Sequence, residues 1–115
     1  MTLADKQELF SRLLVKLMCF IHDRDHEIRG GDWFRDPRVH GHIGEDLAYG
    51  HKNSAHKLKI ATDLNITFEG SLFTTTKQHE PFGIYWETLH PLCRWGGRFS
   101  SPDGNHYSFE HNGNK

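Results

Sequence analysis

The chain has 115 residues, the length of one compact domain, and we predict a single domain spanning residues 1–115. Eight Phe, three Tyr and three Trp provide enough apolar mass for a core, which argues against a disordered chain. A formal net charge of -1, with Lys and Arg scattered along the sequence, gives no electrostatic attraction to nucleic acid or to anionic lipid. Ten histidines are many for this length and raise the expectation of a metal site or of acid–base chemistry.

The N-terminal segment predicts a helix and no export signal. Apolar residues recur at helical spacing between residues 4 and 22, which is typical of an amphipathic helix. The first ten residues carry charges and lack an unbroken apolar run, so we expect no signal peptide. The apolar stretch 13–21 is interrupted by Lys16 and is too short to cross a bilayer. We therefore expect a cytoplasmic protein without stable membrane insertion.

The next segment predicts a strand, a short helix and a loop. Residues 26–34 look like a strand in which Gly30 and Gly31 mark a bulge or a close backbone approach. An Asp-Pro pair at residues 36–37 can cap and begin a short helix. Residues 41–54 contain three glycines and many polar residues, which favours a surface loop.

The C-terminal half predicts more strands and one helix. Apolar and polar residues alternate over residues 58–68, which predicts a strand followed by a hairpin turn at 69–71 and a returning strand at 72–75. We further predict a helix at 81–90, a tight loop at 95–97 and a last strand at 107–109. This order of elements predicts an α+β fold, with an antiparallel sheet packed against helices.

The strand at 58–68 contains an acidic residue that needs an explanation. Asp63 stands among apolar residues and threonines, and burying an unpaired carboxylate is costly. A cation would compensate that charge, and His56, just before the strand, would complete a common imidazole–carboxylate pair for zinc. The alternative is that Asp63 faces solvent beside Lys59 and Asn65. This segment alone does not decide between the two interpretations.

A second pair of candidate residues lies near the C-terminus. Asp103 and His106 are separated by a Gly-Asn turn and can face one point in space. With His106 as a third protein ligand, a fourth position would stay open for water, as in catalytic zinc sites. Taken alone, the segment is more often a hairpin turn followed by a surface histidine.

Together these motifs resemble a family of zinc peptidases. Ser-x-His at 54–56, Ala-x-Asp at 61–63, Trp-Gly-Gly at 95–97 and Asp-x-x-His at 103–106 follow one another in the order found in peptidases of the hedgehog/D-Ala-D-Ala-peptidase fold. That family includes phage endolysins that cut the L-alanyl-D-glutamate bond and D-alanyl-D-alanine carboxypeptidases and dipeptidases. The resemblance covers residues 33–109.

The resemblance implies a role for each matching residue. It implies that His56, Asp63 and His106 bind zinc as the cofactor, and that Asp103 is the catalytic acid and base. An arginine guanidinium, such as that of Arg35, can pair with a carboxylate through two parallel hydrogen bonds or stabilise a developing oxyanion with its charge.

By the same resemblance, Arg35 anchors the substrate and assists catalysis, Ser54 hydrogen-bonds the substrate, and Trp95 belongs to the loop that borders the cleft. A role for Arg35 as an ordinary surface residue stays open. Lys59 and Arg98 depart from the family pattern, which often has Gly and an acidic residue at these positions. His51 and His111 are extra histidines that we expect at the surface or beside the ligands.

The function implied is hydrolysis of a peptide bond in peptidoglycan stem peptides, by a monomer that does not bind nucleic acid. The preferred bond would be L-alanyl-D-glutamate, with D-alanyl-D-alanine as the alternative. A phage endolysin would wait in the host cytoplasm and reach the cell wall after the membrane is breached. Two other possibilities are a zinc-binding module without activity and a metal-free interaction protein.

Overall fold

Helix α1 spans Leu3–Asp23 in the computed structural model, which describes residues 1–45 and 53–115. Thr2 begins it with a capping box: its hydroxyl accepts from the Asp5 amide, and the Asp5 carboxylate accepts from the Thr2 amide. The helix buries one apolar stripe, consisting of Phe10, Leu13, Leu14, Leu17 and Ile21. The predicted N-terminal helix is confirmed.

Five antiparallel strands form one sheet, in the order β1-β2-β5-β4, with β3 paired to the end of β2. The strands are β1 (His26–Gly30), β2 (Ala61–Phe68), β3 (Ser71–Leu72), β4 (Cys93–Trp95) and β5 (His106–Phe109). The predicted α+β fold with an antiparallel sheet is confirmed. No helix in the described ranges is long and apolar enough to cross a lipid bilayer.

Strand β1 is shorter than predicted, because its regular pairing with β2 ends at Gly30 and the next two residues, 31 and 32, both hydrogen-bond to Asp63. The Gly31 amide donates to the Asp63 carbonyl at 3.1 Å, and the Asp63 amide donates to the Asp32 carbonyl at 2.8 Å. A Cβ on Gly31 would lie 2.8 Å from the Asp63 carbonyl oxygen, so the backbones could not approach this closely with any other residue. The close approach expected at this glycine pair is confirmed.

Strand β2 begins three residues later than the alternating pattern predicted. Residues Ala55–Leu58 form a 3₁₀ turn, and the Ser54 hydroxyl caps it by accepting from the His56 amide at 3.2 Å. Lys59 ends the turn in the left-handed region, with φ of 59°. The cap and the left-handed residue are local signals that override the alternation at Leu58.

Helix α3 spans Thr76–Leu89 and begins five residues before its predicted start at residue 81. A capping box formed by Thr75 and Gln78 starts it, and this Thr-x-x-Gln signal was available in the sequence. Pro81 lies inside the helix, where it removes one main-chain hydrogen bond without ending it. The early start also leaves β3 shorter than the predicted returning strand.

Three shorter predictions have mixed outcomes. Helix α2 (Pro37–His40) forms as predicted, and the Asp36 carboxylate accepts from the Arg38 amide at 2.8 Å. The loop predicted at 41–54 lies partly outside the described residues. The tight loop at 95–97 consists of the last residue of β4, which the sequence did not predict, and a 3₁₀ turn at Gly96–Arg98.

The core lies between one face of the sheet and helices α1 and α3. Tyr107 of β5 is fully buried, and its ring contacts that of Trp86 in α3, which in turn contacts Phe10 in α1. Side chains alternate along a strand, so the residues on either side of Tyr107 face away from the helices. His106 therefore lies on the opposite face of the sheet.

Candidate metal centre

The register of β2 against β5 brings together two of the predicted ligands. Asp63 and His106 are direct partners in this antiparallel pair, and such cross-strand side chains are close neighbours. The imidazole Nδ1 of His106 lies 3.7 Å from Asp63 Oδ1. Their neighbours Thr62 and Tyr107, also partners, are buried on the helix side. Because side chains alternate between the two faces along each strand, Asp63 and His106 both lie on the face away from the helices.

His56 reaches the same point from the 3₁₀ turn before β2. Its side chain is 1% exposed, and Nε2 lies 3.3 Å from Asp63 Oδ1. Its other ring nitrogen, Nδ1, lies 3.2 Å from the Trp33 carbonyl oxygen. A carbonyl can only accept, so Nδ1 carries a proton, and in the tautomer that binds metals Nε2 presents a lone pair toward Asp63. Such a hydrogen bond to the far nitrogen is typical of histidines that bind metals.

The three side chains could hold a metal ion. Their ligand atoms all lie within 4.8 Å of one another. In a tetrahedral site with bonds of about 2.0–2.2 Å, neighbouring ligand atoms are about 3.3–3.6 Å apart. His56 Nε2 and Asp63 Oδ1 are buried and make no hydrogen bond to any described residue, and the same is true of His106 Nε2. A cation between the first two atoms would compensate buried groups that otherwise face each other unpaired.

The electrostatics keep Asp63 in the charged form that binds cations. Burial raises the pKa of its carboxyl group, but hydrogen bonds from His106 and His56, and the positive charge of these rings when they carry a second proton, outweigh burial, and the pKa lies well below its usual value. The carboxylate is therefore ionised at neutral pH. A metal need not compete with a proton for this oxygen, which favours binding.

Two of the candidate ligands, His56 and His106, line a cleft of about 680 Å³. Arg35, predicted to anchor the substrate, lies on its wall with a side chain that is 11% exposed. The Arg35 guanidinium donates to Ser54 Oγ at 2.8 Å and to Asp32 Oδ2 at 3.4 Å. The Arg35 amide also donates to the His56 carbonyl at 3.1 Å. The structure thus places Arg35 beside the candidate ligands.

Ser54 links the arginine to the first histidine. Its hydroxyl oxygen accepts from both the Arg35 guanidinium and the His56 amide. The hydroxyl hydrogen makes no hydrogen bond to the described part of the chain, and Ser54 lines the cleft. Ser54 therefore positions two other site residues and still has a donor to offer a ligand.

Asp103, the predicted catalytic acid and base, also lines the cleft. Its side chain is 54% exposed, and Oδ2 lies 4.0 Å from His106 Nδ1. Main-chain bonds fix the segment: the Asp103 amide donates to the Gly96 carbonyl, and the His106 amide donates to the Asp103 carbonyl. The spacing of three residues therefore brings this carboxylate beside the ligands, as predicted, and leaves it accessible to solvent.

Trp95 requires a correction, because it does not line the cleft. Its side chain is 2% exposed, and the indole Nε1 donates to the Gly104 carbonyl at 2.8 Å. Its ring packs against Gly83 of α3, where a Cβ would lie 2.1 Å from the indole. The tryptophan therefore packs in the core, where its hydrogen bond to Gly104 holds the loop that carries Asp103. It is not among the residues that line the cleft.

The two departures from the family pattern differ in their positions. Lys59 is not among the described residues that line the cleft, and its ammonium lies 4.9 Å from the centre of the Phe34 ring. Arg98 does line the cleft and forms a two-bond ion pair with Glu87 of α3.

One of the two extra histidines, His111, can be placed relative to the candidate ligands. His111 contacts the Lys6 ammonium at 3.1 Å and is not among the three candidate ligands. His51 lies outside the described residues.

Sequence reasoning missed Asp32 as a supporting residue. Its carboxylate accepts from Arg35, and its carbonyl accepts from the Asp63 amide. One residue therefore contacts both a candidate ligand and the arginine on the cleft wall. The only signal in the sequence was its spacing of three residues from Arg35, which is too common to identify a site.

No protein-family model matches this chain, and no curated protein matches its sequence. Its function has to be inferred from the chemistry of the site, because a fold by itself does not determine function.

Proposed function

We propose that this chain is a zinc-dependent peptidase of the hedgehog/D-Ala-D-Ala-peptidase fold that hydrolyses a peptide bond in bacterial peptidoglycan stem peptides. One observation carries the proposal: two imidazoles and a carboxylate, contributed by separate elements of the fold, converge beside a cleft that is also lined by Arg35 and by the exposed carboxylate of Asp103. A scaffold role for the metal would explain the three ligands, but it would not require Arg35 and Asp103 beside them.

The donor set supports zinc as the metal. Two histidines and one carboxylate are the protein ligands of several zinc peptidases, and they leave a position for water. Zinc bound by His56, Asp63 and His106 would supply a Lewis acid and a water molecule with a pKa of about 7. The predicted ligands are contributed by two paired strands and by a turn anchored to Trp33, so the site is formed before a metal arrives.

Asp103 is the residue suited to move the proton. A general base must reach the water that attacks the carbonyl carbon, and the same group can then deliver that proton to the departing amine nitrogen. Asp103 lies next to His106 and is accessible to solvent, so its carboxylate can reach both reactants without being buried. Aspartate fits this role because it can accept one proton and return it within a single turnover.

Arg35 and Ser54 are suited to bind the substrate. Stem peptides carry several carboxylates, and a guanidinium can pair with one of them through two hydrogen bonds. The bond from Arg35 to Ser54 fixes the orientation of the guanidinium, which lowers the entropic cost of binding. We propose the L-alanyl-D-glutamate bond as the preferred target and a phage endolysin, released into the cell wall after membrane breach, as the biological context.

The test is digestion of purified peptidoglycan by the full chain, with and without a chelator, followed by mass analysis of the fragments. New N-terminal D-glutamate that disappears with chelator is the expected result. Release of free D-alanine would instead establish the D-alanyl-D-alanine activity. The variant Asp103→Asn should lose at least about 100-fold in rate while keeping its zinc, because it removes the proton carrier and no ligand.

Three outcomes of that test would contradict the proposal. Full activity of Asp103→Asn would overturn the mechanism. Bound zinc without any release of fragments would favour a zinc-binding module that has no activity. Absence of stoichiometric zinc in protein purified without a histidine tag would favour a metal-free interaction protein.

A further inference from the structure

A second, smaller pocket of about 260 Å³ lies on the other side of the Asp103 loop. It is formed by the segment before α3, the start of α3 and the loop between residues 102 and 105. Asp103 lines both this pocket and the large cleft. A molecule bound in the small pocket would therefore lie next to the candidate catalytic carboxylate. None of the functions proposed above uses this pocket.

The lining of the small pocket is polar and mostly uncharged. Hydroxyl and amide side chains predominate, and Asp103 is the only charged residue among the described residues that line it. The large cleft differs, since three cationic side chains line it, those of Arg35, Arg98 and Lys115. The small pocket thus has no cation for an anionic group, and it offers many partners for hydroxyl and amide groups. Its members include Asn65, Thr74, Thr75, Thr76 and Asn105.

His79 is the buried polar group of this pocket. It is 4% exposed, and its Nδ1 lies 3.1 Å from the hydroxyl of the fully buried Tyr107. Its Nε2 makes no hydrogen bond to the described residues, so it is the polar atom left for the pocket that His79 lines. Burial lowers the pKa of His79 to about 4, so the ring is neutral at neutral pH.

The contact with Tyr107 makes His79 adaptable. A tyrosine hydroxyl can either donate to Nδ1 or accept from it. In the first case Nε2 carries the hydrogen and donates to a ligand; in the second it accepts from one. A group that can take either role suits a ligand hydroxyl, which can also donate or accept. Phe73, whose ring contacts the imidazole of His79 edge-on at 5.1 Å, adds an apolar surface to the same pocket.

We propose that the small pocket binds one sugar ring of the glycan strand, an inference that rests on the proposed peptidoglycan substrate. Uncharged hydrogen-bonding groups together with one aromatic ring match the hydroxyls and the apolar face of a saccharide. The volume is below the range of pockets for drug-sized ligands, which begins at about 300 Å³, and it fits a single ring.

This assignment bears on which bond is cut. In peptidoglycan the sugar is attached to the first residue of the stem peptide, so the L-alanyl-D-glutamate bond is the nearest bond between two amino acids of the stem. The D-alanyl-D-alanine bond lies at the far end of the stem. Because Asp103 borders both pockets, a sugar in the small one brings the near bond to the candidate catalytic carboxylate. Occupation of the pocket thus favours the endopeptidase reaction.

The test measures binding, so it does not depend on turnover. Zinc-loaded full-length protein is titrated calorimetrically with N-acetylmuramoyl-L-alanine and, separately, with N-acetyl-L-alanine, which lacks the sugar. We expect the sugar to increase affinity about tenfold, the effect of one or two added hydrogen bonds. In parallel NMR spectra, the side-chain amide signals of Asn65 and Asn105 should shift with the first probe only.

Matched variants locate the effect. Thr74→Val removes an exposed pocket hydroxyl while keeping the side-chain shape, and we expect the advantage of the sugar to fall to about twofold. Thr88→Val makes the same change at an exposed position of α3 outside the pocket and should leave the advantage unchanged.

Equal affinity for the two probes, or a sugar advantage that survives Thr74→Val, would overturn the assignment. Peptidoglycan cleavage without sugar binding would refute the pocket but not the peptidase. Sugar binding without cleavage would refute the peptidase and keep the pocket.

Discussion

At the scale of single residues, the site depends on how His56 is held. A histidine on a flexible loop would lose rotational freedom on binding a metal, and either ring nitrogen could take part. Here the bond from Nδ1 to the Trp33 carbonyl selects the tautomer, and burial selects the rotamer. The side chain therefore presents Nε2 before any ion binds, which lowers the entropic cost of binding.

Removal of His56 should abolish tight zinc binding. Replacing it with alanine leaves two protein ligands, and we expect zinc affinity to fall by more than the roughly 10–100-fold that is typical when a supporting residue is lost. A competition titration with a chromogenic chelator measures the change. His22→Ala, at an exposed position of α1, is the matched control and should bind zinc like the unmodified chain. Unchanged affinity in His56→Ala would refute the site.

His79 should make stability depend on pH. Its folded-state pKa of about 4 lies below the unfolded value of about 6.5, so the unfolded chain binds more protons between these two values. The contribution of His79 to the free energy of unfolding is therefore fully present above pH 6.5. It decreases as the pH falls toward 4 and stays constant below that. The contribution is up to about 3 kcal/mol. Urea unfolding of the wild type and of His79→Gln across this range measures it, and parallel curves for the two proteins would contradict the prediction.

At the scale of elements, the segment 31–32, which follows β1 and pairs with Asp63 of β2, holds the centre together. This segment hydrogen-bonds to both main-chain groups of Asp63. It also leads directly to the Trp33 carbonyl that orients His56. Two of the three candidate ligands thus depend on a single close approach between backbones, and Gly31 permits it.

Substitution of Gly31 should disturb both stability and metal binding, whereas its neighbour should tolerate the same change. An added Cβ at Gly31 would lie 2.8 Å from the Asp63 carbonyl oxygen, while one at Gly30 would meet nothing within 4 Å. We expect Gly31→Ala to cost about 1–3 kcal/mol through strain and to weaken zinc binding. Gly30→Ala should change the free energy of unfolding by less than about 1 kcal/mol. Denaturant unfolding and zinc titration of both variants test this, and equal effects would contradict the role assigned to Gly31.

At the scale of the whole molecule, the metal should contribute to folding stability. A domain of this length has a modest core, and on the side of the sheet opposite the helices a partly buried carboxylate and two buried histidines stand in place of apolar side chains. Without a cation these groups are incompletely paired, which costs free energy in the folded state. With one, the free energy of metal binding adds to the free energy of unfolding.

Chelation should therefore lower the thermal midpoint. With zinc at about 100 times its dissociation constant the expected stabilisation is about 2.7 kcal/mol, which corresponds to roughly 10 °C or more for a domain of this length. Calorimetric scans with and without EDTA measure the shift. The His56→Ala variant is the control, because a protein that cannot bind zinc should show the same midpoint in both buffers. A shift of equal size in that variant would show that EDTA acts elsewhere.

The sequence by itself determined the local elements and the identity of the candidate ligands. Helical spacing predicted α1, alternation predicted most of β2, and the order of motifs indicated His56, Asp63 and His106. These signals are local: capping, periodicity and turn chemistry act over a few residues, so they can be read from the chain directly. Helix α3 begins before its predicted start because the capping box at Thr75 initiates it and the helix accommodates Pro81.

Only the tertiary structure decided whether the candidate residues meet. Asp63 alone was equally consistent with a solvated surface residue, and a shift of one residue in the register of β2 against β5 would have turned it away from His106. The tertiary structure also places Trp95 in the core and shows that the Asp32 carboxylate accepts a hydrogen bond from Arg35. The physical reason is that side-chain convergence depends on strand pairing and packing between distant segments. Neither leaves a signal in the residues of one segment alone.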